Sequence, residues 1–123
     1  PELHDARYSL GLLLAEEKRY AEAERQLALA GAGLPDRPRV HYNLGLLYDY
    51  LRKDREAEVA LTRAADLEPD NMDFLQALAG LHLKRGNLAA AGRIADRMIA
   101  HHPSDRRGPE LKELLRSRSG ASN

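Results

Sequence analysis

"VHYNLGLLYDYL", residues 40–51, is apolar on too many sides for an ordinary surface helix. Leu44, Leu47, Tyr48 and Leu51 recur at spacings of three and four and make one stripe. Tyr42, Leu46 and Tyr50 make a second set, which points nearly the opposite way at about 100° per residue. One stripe serves as core. The other needs a separate reason to be apolar.

The stretch has copies. Leu44–Gly45 appears one period earlier as Leu10–Gly11 and one period later as Leu78–Ala79. Ala23, Ala57 and Ala91 keep the same step, as do Pro35, Pro69 and Pro103. Leu27 and Leu61 weaken to Ala95, and Ala30 and Ala64 become Met98. Three units, 4–37, 38–71 and 72–105, follow one another without insertion. Each holds two helical patterns parted by a polar break, "EEKRY", "RKDRE" or "KRGN". Gly11, Gly45 and Ala79 lack bulk where two helices of a hairpin must cross, and Ala23, Ala57 and Ala91 offer a small facing surface. The prolines close each unit because proline cannot continue a helix interior. Asp70 or Asn71 suits the cap of the fifth helix, and Asn87 that of the sixth.

This pattern resembles the tetratricopeptide repeat family, whose unit of the same length carries Leu-Gly, an aromatic residue, Ala, a large apolar residue and a closing Pro. The second unit matches best, through Leu44, Gly45, Tyr48, Ala57, Leu61, Ala64 and Pro69. The third departs most, with Ala79, His82, Ala95 and Met98, and no unit has the family's Trp. The resemblance implies an all-α, right-handed superhelical solenoid of helix-turn-helix repeats. Helices are expected at 4–17, 21–32, 38–51, 54–67, 72–85 and 88–101. A seventh should open at Pro109 and cap the last hairpin through Leu111, Leu114 and Leu115, giving one domain over 1–118 and a disordered tail at 119–123.

In this family the first helices line a concave surface where ligands lie. The resemblance therefore implies a groove lined by Tyr8, Leu12, Tyr42, Asn43, Leu46, Asp49, Tyr50 and Gln76, with Tyr48 in the core. Asn43 could bond a peptide backbone or only its neighbours. Leu12 and Leu46 are the members best suited to plain packing between adjacent first helices. A two-carboxylate clamp for chaperone tails, known in one subfamily, is rejected: only Asn43 matches, and its other positions fall on Tyr8, Leu12, Asp73 and Ala77, which hold no cation.

Composition narrows the function. Nineteen basic and nineteen acidic residues cancel, so neither nucleic acid nor an anionic membrane is expected as partner. The chain has no cysteine, which removes disulfides, thiolate metal sites and thiol catalysis. Its longest run without a polar side chain, "LALAGAGL", is far short of the ~20 residues of a membrane span. Cysteine-free chains occur in cytoplasm and periplasm alike, so no compartment is assigned. A start at Pro1 without Met reads as a piece of a longer polypeptide, and the preference for Arg over Lys points to a bacterial source. Adjacent His101 and His102 diverge and lack a third ligand, so no metal and no cofactor is expected. His82 reads as a packed, hydrogen-bonded core residue, and His4 and His41 as surface residues at helix starts. Ser9 has no nucleophile turn around it, and "GAG" at 31–33 reads as a helix ending rather than a phosphate loop.

The expected function is non-catalytic: a scaffold holding a peptide or helix of a partner protein. The alternatives are a structural or self-association module, and the non-catalytic arm of a larger bacterial enzyme.

Overall fold

The computed structural model describes residues 2–120. Among them are seven α-helices and no strand: α1 (Glu2–Glu16), α2 (Tyr20–Gly33), α3 (Pro38–Tyr50), α4 (Asp54–Leu67), α5 (Met72–Lys84), α6 (Leu88–His101) and α7 (Arg107–Arg118). This is an all-α helical-repeat fold, and none of these helices is long and apolar enough to cross a membrane. Of the tail expected to be disordered, Ser119 and Gly120 form a turn, with the Ser119 hydroxyl donating to the Arg116 carbonyl. Residues 121–123 lie outside the described residues. The chain forms two compact units, one running to Leu67 and the other starting at Glu68.

The first unit holds two helical hairpins, α1–α2 and α3–α4, with α2 packed on α3. Its core joins Leu14 of α1, Ala23 and Leu27 of α2, and Leu44 and Leu47 of α3. Gly11 and Gly45 explain how closely the hairpins cross. A Cβ on either would stand 2.7 Å from the Leu27 or Leu61 side chain, so only glycine lets that leucine seat. Each leucine is almost fully buried, which stabilises by about 1.5–3 kcal/mol. Tyr48 was expected in the core, yet it is only half-buried against it. Burial, then the carboxylates of Glu24 and Glu56, push its hydroxyl pKa up. The ring packs while its polar end stays near the charged rim, as suits a tyrosine. Two ion pairs tie the hairpins at the surface, Arg37 to Asp5 at 2.7 Å and Lys53 to Glu24 at 2.8 Å. Water screens both pairs, so neither adds much to stability.

The second unit packs α5 on α6 and α6 on α7. The Asn71 side chain caps α5 by accepting from the Phe74 N–H at 3.2 Å, and Asn87 caps α6 by accepting from the Ala90 N–H at 3.4 Å. Ala91 and Ala95 of α6 meet Leu115 of α7, with Leu83, Leu88 and Leu111 around them. Leu114, expected to help cover this surface, is exposed instead. It directly precedes the buried Leu115, and a step of about 100° turns it off the buried side.

The seventh helix begins two residues before Pro109. Asp105 accepts from the Arg107 backbone N–H at 3.0 Å and from its guanidinium at 3.1 and 2.8 Å, which fixes the first turn. That clasp lowers the Asp105 pKa to about 2 and raises that of Arg107. Pro109 sits in this first turn, where a missing N–H costs nothing. His82 is buried as expected, but its Nδ1 has no hydrogen-bond partner among the described residues. His4 is not a free surface residue, since its ring packs directly on Gly33. His41 bonds the Pro35 carbonyl through Nε2 at 3.0 Å, and His102 bonds that of Asp70 at 2.6 Å.

All three hairpin turns use one backbone device. Lys18, Arg52 and Gly86, which occupy the same place in successive repeats, take left-handed φ of 65°, 62° and 75°. The next N–H then returns to a carbonyl in the last turn of the first helix: Arg19 to Leu14, Lys53 to Tyr48 and Asn87 to His82, at 2.8–2.9 Å. These bonds satisfy carbonyls that the helix end would otherwise orphan.

Candidate functional site

Seven of the eight residues expected to form the groove lie in the first unit, on α1 and α3. α1 and α3 touch, and one bond between them is a side-chain pair. Asn43 donates through Nδ2 to the Tyr8 hydroxyl at 2.6 Å and to the Arg39 carbonyl at 3.1 Å. Its amide N–H groups are therefore spent within the protein. Tyr8 and Asn43 are both half-buried, and their bond fixes the two helices in register.

Leu12 and Leu46 stand one repeat apart on these helices. They are not buried packing residues: they are 37% and 38% exposed. Tyr42 is half-buried, with the Arg39 guanidinium 5.3 Å from its ring centroid, within cation–π range. Tyr50 is 66% exposed, and its ring leans on Tyr20 of α2 with centroids 4.8 Å apart at 43°. Hydrogen bonding with Tyr50, then burial, raises the Tyr20 hydroxyl pKa. Tyr20 is a member of this surface that the sequence reading missed. It follows the polar break "EEKRY", and no helical spacing links it to Tyr50. Asp49 is half-buried in the last turn of α3.

Gln76 belongs to the second unit. There its amide oxygen accepts from Arg107 at 3.0 Å, and the same guanidinium pairs with Asp73 at 3.2 Å.

The first unit also carries a cleft of about 650 Å³ that the sequence reading did not find. Leu44, Tyr48, Val59 and Ala60 make its apolar wall, with Arg55 and Arg63 among its charged members. Val59 was the available signal: an exposed β-branched residue on the otherwise charged side of "DREAEVALTRAADL". Among the described residues, no three His, Asp or Glu side chains are placed to hold a metal ion.

Two tetratricopeptide-repeat profiles match the chain, one over residues 55–115 and one over residues 38–71. Among curated proteins, the probable biofilm formation methyltransferase WspC of Pseudomonas aeruginosa is 39% identical over 77 residues, 63% of this chain. The chain spans only 17% of the length of that relative. Among solved structures, a tetratricopeptide repeat protein from Parabacteroides merdae superposes with a TM-score of 0.87 at 18% identity, over 94% of this chain and 46% of that one. MamA gives 0.85 at 19% identity, over 95% of this chain and 68% of that one. The first repeat domain of Spaghetti (RPAP3), solved bound to the HSP90 peptide SRMEEVD, gives 0.75 at 19% identity, over 98% and 95%. Likeness at such identities speaks for the fold alone.

Proposed function

Because this chain belongs to the tetratricopeptide-repeat family, we propose that it is a binding scaffold, without catalysis of its own, that holds a peptide or helix of a partner protein on the α1–α3 face. The observation that carries this reading is the pair Leu12 and Leu46. They fall at the same place in successive repeats, both stay exposed, and Leu46 shares α3 with the still more exposed Tyr50. Exposed apolar and aromatic side chains in a fixed frame are what an interaction surface needs. Tyr8, Tyr42 and Asn43 form the frame, since their own contacts hold them in place. Asn43 Oδ1 supplies an acceptor for the partner's N–H groups.

The peptide bound by Spaghetti is acidic at its end, whereas Leu12 and Tyr8 stand here where a carboxylate clamp would need cations. The partner of this chain is therefore apolar at its anchor. Gln76 is left out of the face because Arg107 holds its amide oxygen.

A second reading concerns the setting. The match to a methyltransferase of which this chain spans a small part favours a repeat portion of a longer bacterial enzyme, bringing a protein to it. The binding face would be the same.

Selection of a random peptide library on the immobilised chain tests the proposal. Enriched peptides should lose at least about tenfold in affinity on Leu46→Glu or Tyr50→Ala, the loss expected of an anchor. Helical circular dichroism and melting temperature should hold. Selection without enrichment, or affinity indifferent to both substitutions, removes this face as the site.

A further inference from the structure

The outward side of α1 carries Leu3, Leu10 and Leu13, which are 60%, 43% and 51% exposed, with Ala6 exposed between them. Spacings of three and four place the four on one side of the helix. Gly11 and Leu14, farther round the helix, face α2. An apolar stripe of this length on a charged chain calls for a cover.

The repeat says what the cover is. One repeat onward, Ala6, Leu10 and Leu13 become Val40, Leu44 and Leu47, and all three are buried. One more step gives Phe74, Leu78 and Leu81, buried again. In the first unit the burying surface is visible. Leu44 and Leu47 pack on Ala23 and Leu27 of α2, with Tyr20 and Ala28 beside them. The face of α1 thus continues, one repeat earlier, the interface that α3 makes with α2.

Charge continues with it. Lys53, which follows α3, holds Glu24 of α2 through both carboxylate oxygens, at 2.8 and 3.1 Å. Arg19, one repeat earlier, follows α1 in the same place. It is well exposed and, among the described residues, pairs with its chain neighbours Glu22 and Glu17.

We infer that the outward face of α1 docks the second helix of a further hairpin of the α1–α2 kind, one that presents Ala-Glu-x-x-Leu as α2 does at Ala23, Glu24 and Leu27. Alanine and leucine seat against Leu10 and Leu13, and the glutamate meets Arg19. A second copy of this chain does not offer that surface, because its own Ala23 and Leu27 are already buried. The inference stands on the repeat register and is independent of the peptide face.

The test fuses a copy of residues 4–37 in register ahead of residue 4. The fusion should melt more than about 5 °C above the natural chain. Leu10→Lys with Leu13→Lys should leave the natural chain's melting temperature within about 2 °C, as exposed substitutions do. The same pair, placed in the α1 that meets the added hairpin, should abolish the gain. A fusion that melts no higher, or a gain that survives both lysines, overturns the inference. So does a natural chain that sediments as a dimer and dissociates with Leu13→Lys, which would give this face to a second copy.

Discussion

The first two hairpins and the third solve one crossing in different ways. In α1–α2 and α3–α4 the first helix gives up its side chain, at Gly11 and Gly45, and the second fills the gap with Leu27 and Leu61. In α5–α6 both positions carry alanine, Ala79 and Ala95, and both are buried. The volume that leucine supplies in the early hairpins comes in the third from outside the hairpin, where Leu115 of α7 packs on Ala91 and Ala95. α7 approaches α6 so closely that a Cβ on Gly108 would stand 2.8 Å from Ile99. A repeat can therefore move a core residue from one helix to the next and keep its frame, provided the volume is conserved.

The heaviest loss should fall on the borrowed residue. Leu115→Ala should cost about 2–5 kcal/mol, as truncation of a buried leucine does. Leu114→Ala, its exposed neighbour, should change stability by less than about 0.5 kcal/mol. Urea melts of the two variants check this, and equal costs would refute the claim that α7 fills the third hairpin.

Next comes the crossing itself. Gly45→Ala pushes a Cβ into Leu61 and should cost about 1–3 kcal/mol. Adding Leu61→Ala recreates the pair found in the third hairpin. The two changes should be non-additive by about 0.5–3 kcal/mol in a double-mutant cycle, because the alanine then has room. Strict additivity would mean that Gly45 and Leu61 are not each other's constraint.

A smaller gain is expected from His82. Leu14, Tyr48 and His82 fall at the same place in successive repeats, and of the three the histidine buries a polar atom without a partner. His82→Leu copies the first repeat and removes that unsatisfied group. It should raise stability by about 1–2 kcal/mol in the same melts. A loss would show that the imidazole is needed where it sits.

The turns offer the finest distinction among the three hairpins. Gly86 takes its left-handed φ freely, whereas Lys18 and Arg52 hold the same conformation against the clash of a side chain. Lys18→Gly and Arg52→Gly should each stabilise by about 0.5–1 kcal/mol, and Gly86→Ala should cost a similar amount. Thermal melts that rank the three substitutions otherwise would contradict the shared turn geometry.

Features that depend on neighbours along the chain were legible in residue order alone. Spacings of three and four, together with the repeat period, located every helix to within two or three positions at either end. The caps at Asn71 and Asn87 and the glycine crossings at Gly11 and Gly45 were equally legible, because a cap or a missing Cβ acts on the nearest backbone. The second apolar stripe of α3 was legible too, as a helical angle, but its exposure was not. How deep each residue sits, and which distant partner it meets, emerged only with the packed helices. Asn43 reaches Tyr8 on α1, and Tyr50 finds Tyr20 on α2. Leu12 and Leu46 stay exposed although their spacing suits packing, and of the adjacent Leu114 and Leu115 only the second is covered. Periodicity fixes a side chain's direction around its own helix and nothing more. Depth and partner depend on how closely and at what angle two helices cross, and that is set by the summed volumes of side chains far apart in the chain.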